Sequence, residues 1–423
     1  MSELPLSHLD RPPGPSIRRR WSVFAVVSLI YLLVYFHRQA PAVLALDLMR
    51  DLKLKGSSLG LLGAAYFFPY ALLQLMAGPV TKTLGPSRTL CIFFGLAGVG
   101  AVGFSFATDL PSALACRFLV GVGAAMVLVP VLEIMSAWFR REEFTTMVGL
   151  LIAVAGIGVY AGAAPLGQLD HIIGWRGSFM VVGGLSLCLV GCAWFIVRDH
   201  PQSPTPGHQK PLKDSSSCNR TLKVLSTSAF WPPVIWAFLA LGVFISFGGL
   251  WGGPWLMHIH GFNKIRTGHT LAMLALGMIL GGPLLGFLAE RIFKSRKKVL
   301  VFAAFGLVLL TAGTAFGKAM TPTGLLVWFG LLGMTTMAAA PLSLTLVRNA
   351  FTDDLAPTAT GLANFFFLAG GALMQQAGGW LLEAQGHTAS TGTPEHYAML
   401  FQTYFACAVA ALIAALLTRE KAP

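Results

Sequence analysis

Stretches of about twenty apolar residues, each long enough to cross roughly 30 Å of hydrocarbon, recur from Trp21 to Thr418. They fall at 21–47, 58–80, 89–107, 111–139, 144–166 and 177–197. A second set follows at 230–257, 268–289, 299–316, 324–351, 359–382 and 397–418. The expectation is an all-α membrane protein of twelve transmembrane helices. Composition agrees: 55% of the 423 residues are hydrophobic and 11% charged, whereas a soluble chain carries roughly a quarter charged. The 47 glycines suit close packing between membrane helices. The first run is too long for a signal-peptide core and lacks a small-residue cleavage site, so it reads as an uncleaved helix.

A formal net charge of +13 suggests nucleic acid, but the distribution excludes it. Most Lys and Arg residues lie in short connections on one side of the spans: Arg18, Arg19 and Arg20; Lys82 and Arg88; Arg140 and Arg141; Arg198 to Lys223; Arg291 to Lys298; Arg419 and Lys421. The opposite connections hold few, among them Arg50, Arg176, Lys264 and Arg266. The positive-inside rule then puts both termini in the cytoplasm, with the chain in the cell's inner membrane. Cys91, Cys116, Cys188, Cys192, Cys218 and Cys407 lie in spans or in the inner loop and suggest neither a disulfide framework nor a metal site.

The chain repeats itself. At an offset of 208 residues, Gly78–Arg88 lies over Gly286–Arg296; at 211, Pro130 lies over Pro341; at 212, Gly149 and Gly167 lie over Gly361 and Gly379. The expected organisation is a tail at 1–20, a six-helix bundle at 21–197, a Pro-, Ser- and Lys-rich linker at 198–229, a second bundle at 230–418 and a tail at 419–423. Two pseudo-symmetric six-helix halves place a site at their interface.

Several motifs sit at matching places in this repeat. Gly286, Glu290, Arg291, Arg296 and Lys297 follow the eighth span; Gly78, Gly85 and Arg88 follow the second, with Lys82 and Thr83 between them. The fourth span carries Arg117-x-x-x-Gly121-x-Gly123, and Gly174-Trp175-Arg176 precedes the sixth. In these features the chain resembles the major facilitator superfamily over nearly its whole length. That family's loop between helices 2 and 3 carries Gly, three residues, Asp-Arg, one residue, Gly and then basic residues. The second half follows this pattern, while Lys82 and Thr83 replace Asp and Arg in the first. The resemblance implies alternating access, with these loops latching the inner side and the latch depending more on Glu290 and Arg291.

Ionisable residues within a span are costly and therefore candidates for function. His37, Arg38, Arg117 and Glu133 lie well inside spans, all in the first half. Arg38 corresponds to Ser246 at the 208 offset. The stretch Tyr35-Phe-His-Arg-Gln-Ala-Pro resembles the first helix of organophosphate:phosphate antiporters, where an arginine grips the anion. Those antiporters hold a second arginine in helix 7, so Ser246 favours a singly charged organic anion here. A guanidinium suits such a ligand because its fork meets two oxygens at once.

Glu133 is the candidate proton carrier, since a buried carboxylate gains a proton more readily, and Arg117 the candidate for coupling beside it. Along one helix those two are roughly 24 Å apart and cannot pair. A contact between Arg38 and Glu133 needs a bend, which Pro130 can supply. Tyr66, Tyr70 and Gln74 share one face of the second helix, and Asn364 and Gln375 one face of the eleventh; both stripes read as cavity wall or as interhelical hydrogen bonding. Trp251 and Trp255 flank Gly252-Gly253-Pro254, read as an aromatic belt with a hinge at Pro254 for the outer gate.

The resulting expectation is a monomeric secondary transporter for a small organic anion, driven by protons, working without cofactor. Proton-driven efflux of amphiphiles and a transporter-like sensor stay open as alternatives. An intramembrane enzyme does not fit, for want of a His-Glu-x-x-His pattern, paired catalytic carboxylates or a nucleophile elbow.

Overall fold

A proline in the middle of a helix removes one hydrogen bond and pushes on the carbonyl four residues earlier, and this chain uses that at matching places in its halves. The computed structural model describes residues 17–199, 217–317, 320–337, 339–352, 354–386 and 392–420. The fourth crossing is broken into Leu110–Ala125 and Leu128–Trp138, and the tenth into Pro322–Thr335 and Ala340–Ala350. The breaks open at Met126 and Thr336, four and five residues before Pro130 and Pro341. One signal in a duplicated chain has produced one bend twice.

The chain crosses twelve times. The first crossing is Ile17–Gln39 continued by Pro41–Asp51, the second Gly56–Gln74 continued by Ala77–Leu84, and the third Pro86–Ser105. The fifth is Arg141–Ala161 plus the start of Ala164–Ile196, whose remainder is the sixth; Gly174 separates them with φ +69°, a conformation that favours glycine. The seventh runs through Trp231–Val243, a π-helical stretch Phe244–Trp251, and Gly252–His260. The eighth is Lys264–Phe287 with a π-helical end Leu288–Ile292, the ninth Arg296–Phe316, the eleventh Ala356–Ala384 and the twelfth Pro394–Leu417. Ten helical segments stand out as long and apolar enough to span; one of them, Glu142–Ile196, holds two crossings. The eleventh crossing falls outside those ten because Asn364, Gln375 and Gln376 dilute its apolar residues.

Packing repeats as the sequence does. The third crossing lies on the sixth as the ninth on the twelfth, the second on the fourth as the eighth on the tenth, and the first on the fifth as the seventh on the eleventh. Between halves, the second packs on the eleventh and the eighth on the fifth, the same contact with the halves exchanged. Even the ends of the halves are alike. The Ser87 amide donates to Asp199 Oδ1 (2.6 Å), and the Arg296 amide to Glu420 Oε1 (2.8 Å), so an acid after the last helix of each half caps the third helix.

Twelve crossings leave both ends on one face, here the near face; the other is the far face. The halves join toward the far face. A Cβ on Gly253 would sit 1.6 Å from the Ala42 carbonyl oxygen, so the first and seventh crossings touch backbone to backbone there. Toward the near face the halves part: Ala77–Leu84 and Leu288–Ile292 pack within their own halves. Helix has already begun at Ile17, inside the expected tail, and Ser217–Leu225 is helical within the expected linker. Residues 1–16, 200–216 and 421–423 lie outside the described residues.

Candidate functional site

Arg38 sits one residue before the first crossing turns at Gln39–Pro41, where the halves begin to touch. Its guanidinium carbon lies 4.6 Å from the Tyr35 ring centre, 5.1 Å from Tyr70 and 5.7 Å from Phe67. Four phenols, those of Tyr35, Tyr66, Tyr70 and Tyr31, act on it electrostatically. Among the described residues it forms no ion pair, and its Nε has no hydrogen-bond partner. Ring faces contribute about 2 kcal/mol to a desolvated cation, which does not offset the several kcal/mol that burying an unpaired charge costs. The site is short of one negative charge.

Tyr66 separates Arg38 from a second buried cation. Arg117 lies 5.3 Å from the Tyr66 ring centre and donates from Nη1 to the His37 carbonyl (3.2 Å), while its Nε and Nη2 are unpartnered. The His37 ring stacks on Phe179 at 6.4 Å, with neither nitrogen bonded. Arg38 keeps 9% of its surface and Arg117 1%, so of the two only Arg38 is within reach of a solute. The sequence pattern shows His37 as a titratable residue in a span, but not that it faces Arg117 rather than Arg38.

On the second half, the counterpart of Arg38 is neutral. The Ser246 hydroxyl lies 2.7 Å from that of Tyr404 and donates to the Met374 carbonyl (2.8 Å). Gln375 is buried, donating from Nε2 to the Ile245 carbonyl (2.9 Å), and the Trp251 indole donates to the Gln375 carbonyl (3.1 Å). These bonds stitch the π-helical stretch of the seventh crossing to the eleventh. Gln39 crosses between halves, its Nε2 donating to the Gly248 carbonyl (2.7 Å). Trp251 is therefore an interior residue, which corrects the aromatic-belt reading: its NH finds a carbonyl deep in the bundle instead of the headgroup layer. The irregular backbone lies at Phe244–Trp251, ahead of Gly252-Gly253-Pro254, and Pro254 is buried.

The two polar stripes divide. Tyr66 donates to the Val34 carbonyl (3.3 Å), Tyr70 lies against Arg38, and Gln74, half-buried, keeps an unpartnered Oε1. Asn364 is half-buried about three turns nearer the near face than Gln375. Glu133 does not meet Arg38. It is half-buried near the near-face end of the bent fourth crossing, with Lys82 and Asp199 acting on it. The bend exists, but it does not carry Glu133 to Arg38.

The near-face motif residues are exposed. Arg88, Glu290 and Arg291 face solvent, without an ion pair for Glu290 or Arg291 among the described residues, and a Cβ on Gly78 would meet nothing within 4 Å. Gly85 has φ +86° and lies against the Asp199 carboxylate. The far face is locked, by residues whose positions at span ends gave no signal. Lys264 Nζ of the second half lies 2.6 Å from both Asp47 Oδ2 and Asp170 Oδ2 of the first. The Ser57 amide of the first half donates to Glu383 Oε2 of the second (2.9 Å). Within the first half, Asp51 accepts from the Trp175 indole (2.9 Å) and pairs with Arg176 (3.4 Å), both part of the motif before the sixth crossing.

Comparison with known proteins places this arrangement. A hexuronate transporter of Escherichia coli (strain K12) is 26% identical over 364 residues, covering 81% of this chain and 83% of its own. A protein of Cupriavidus necator named "Probable sulfoacetate transporter" is 23% identical over 385 residues, 88% of this chain and 89% of its own. Among solved structures, a bacterial homolog of the human lysosomal transporter Spinster, inward-facing and unoccupied, superposes with a TM-score of 0.69 at 19% identity, covering 95% of this chain and 96% of that one. The nucleoside transporter NupG superposes at 0.76 with 14% identity, over 95% and 100%. The family model described as Major Facilitator Superfamily matches residues 27–375 and 253–423. With the duplicated bundle and this match together, the chain belongs to the Major Facilitator Superfamily.

Proposed function

We propose that this transporter moves a small organic anion across the membrane by alternating access, with Arg38 as the residue that binds the anionic group. The observation carrying the reading is a buried guanidinium at the junction of the halves, ringed by tyrosines and facing no carboxylate. An entering carboxylate or sulfonate would meet the guanidinium fork with two oxygens and the phenol hydroxyls with the rest of its lone pairs. The uncharged remainder of the solute would lie toward Ser246, Tyr404 and Asn364. Relatives whose names give hexuronate and sulfoacetate support a sugar acid or sulfonated acid over a phosphate ester, as does Ser246 in place of a second cation.

The near face, with its excess of Lys and Arg, is the cytoplasmic one on this reading, so the structure is the inward-open form. Proton drive belongs to the same proposal, with Glu133 as a group reached from the near face and Arg117, beside His37, as the deeper one. The test is uptake of radiolabelled hexuronate and sulfoacetate into proteoliposomes of the full chain, with and without an imposed pH gradient. Arg38→Gln abolishes uptake if the assignment holds; uptake at the wild-type rate by that variant rejects it.

A further inference from the structure

Lys264 sits between two acids of the opposite half. Asp47 ends the first crossing and Asp170 ends the fifth; Lys264 begins the eighth. Both Oδ2 atoms are 2.6 Å from one ammonium nitrogen, so they are no farther from each other than twice that distance. Both acids are nearly enclosed, at 7% and 2% side-chain exposure, whereas Lys264 keeps 32%. The other charges facing the cluster are Arg50, which reaches Asp47 Oδ1 at 3.1 Å from a side chain 70% exposed, and the Asp51–Arg176 pair beyond it. His171, next to Asp170, is exposed, and Arg266 lies over the Phe262 ring.

Because the ammonium and the carboxylates belong to different halves, the far face cannot open without drawing Lys264 out. That leaves two enclosed carboxylates of one half side by side, with only solvent-exposed Arg50 nearby. Two carboxylates that close take up one shared proton more readily than either would alone. We propose that far-face opening exchanges the Lys264 ammonium for one proton, held between Asp47 and Asp170, so that acid on the far side favours the far-face-open form. The bookkeeping closes: one proton is taken from far-side solution as Lys264 leaves and returned there as it comes back. None need cross the membrane. This rests on the alternating-access reading, and concerns how that motion is gated, apart from what the pocket binds.

The experiment uses the full chain in nanodiscs, with spin labels at Ile172→Cys and Thr323→Cys, both exposed at the far ends of opposite halves. Cys188 and Cys192, exposed among the described cysteines, are replaced by serine, as is Cys218. The wild-type far-face-open fraction is expected to rise about threefold or more between roughly pH 7.5 and 5.5. Lys264→Met should be open already at the higher pH and respond to pH little or not at all. Asp170→Asn should flatten the response, and Asp170→Glu preserve it. Glu395→Gln, at an exposed far-face acid in the first turn of the twelfth crossing, should leave it unchanged. A flat wild-type response, or a full response in Lys264→Met, overturns the proposal while alternation driven by solute keeps the transport reading. A label distance that never changes overturns both.

Discussion

Arg38 and Ser246 hold corresponding positions in the first and seventh crossings, yet they do opposite things. Arg38 brings a charge to the interface and leaves it unbalanced. Ser246 is spent inside its own half, on Tyr404 and Met374. The pattern extends outward: buried charges of the first half are Arg38, Arg117, Asp47 and Asp170, whereas the buried polar residues described in the second are serines, threonines and glutamines. A duplicated backbone has thus been divided into a half that buries charge and a half whose described buried polar residues are neutral. The division is economical, because a second buried cation would add its own desolvation cost of several kcal/mol.

The sharpest way to break this contrast is to remove its charged side. Arg38→Gln is expected to reduce uptake more than a hundredfold, the weight of a charge-assisted pair worth about 3 kcal/mol or more. Arg38→Lys should recover only part, since a point charge cannot meet two oxygens as the fork does. Both are read as initial rates in proteoliposomes. Next in size is the reverse experiment. Ser246→Arg gives the second half a cation of its own and should shift preference about tenfold toward doubly charged acids, a gain of about 1.4 kcal/mol; competition between mono- and dianionic substrates measures it.

Smaller effects test whether the neutral half contributes only neutral bonds. Tyr404→Phe removes one hydroxyl contact with Ser246 and should raise KM about fivefold, in line with about 1 kcal/mol for an ordinary hydrogen bond. Glu133→Gln is the smallest: a half-exposed acid near Lys82 should lower pH-driven uptake about threefold, since such contacts contribute up to about 1 kcal/mol. Solute exchange without a gradient should stay at the wild-type rate.

Much of this was legible in the chain. The crossings followed from apolar length, the bend of the fourth from Pro130, and Arg38 as a candidate from the cost of placing arginine in a span. The partners were not. Glu133 and Arg38 are both intramembrane charges, and nothing local says that one faces Lys82 and the other four tyrosines. Asp47, Asp170 and Lys264 lie at span ends, where charges are ordinary; only their convergence makes them a lock. Trp251 looked like an interfacial tryptophan because sequence distance from a span's end does not reveal which way a π-helical stretch turns its ring.

What the sequence determined alone is therefore the set of elements: how many times the chain crosses, that it does so in two related halves, and which residues are expensive to bury. These are one-dimensional properties, written in hydropathy, spacing and repeat. Tertiary structure decided who meets whom: Lys264 between two acids more than ninety residues earlier in the chain, Gly253 against Ala42, Arg38 without a counter-charge. Those contacts depend on how two rigid halves are set against each other, and no local rule along a single helix encodes that.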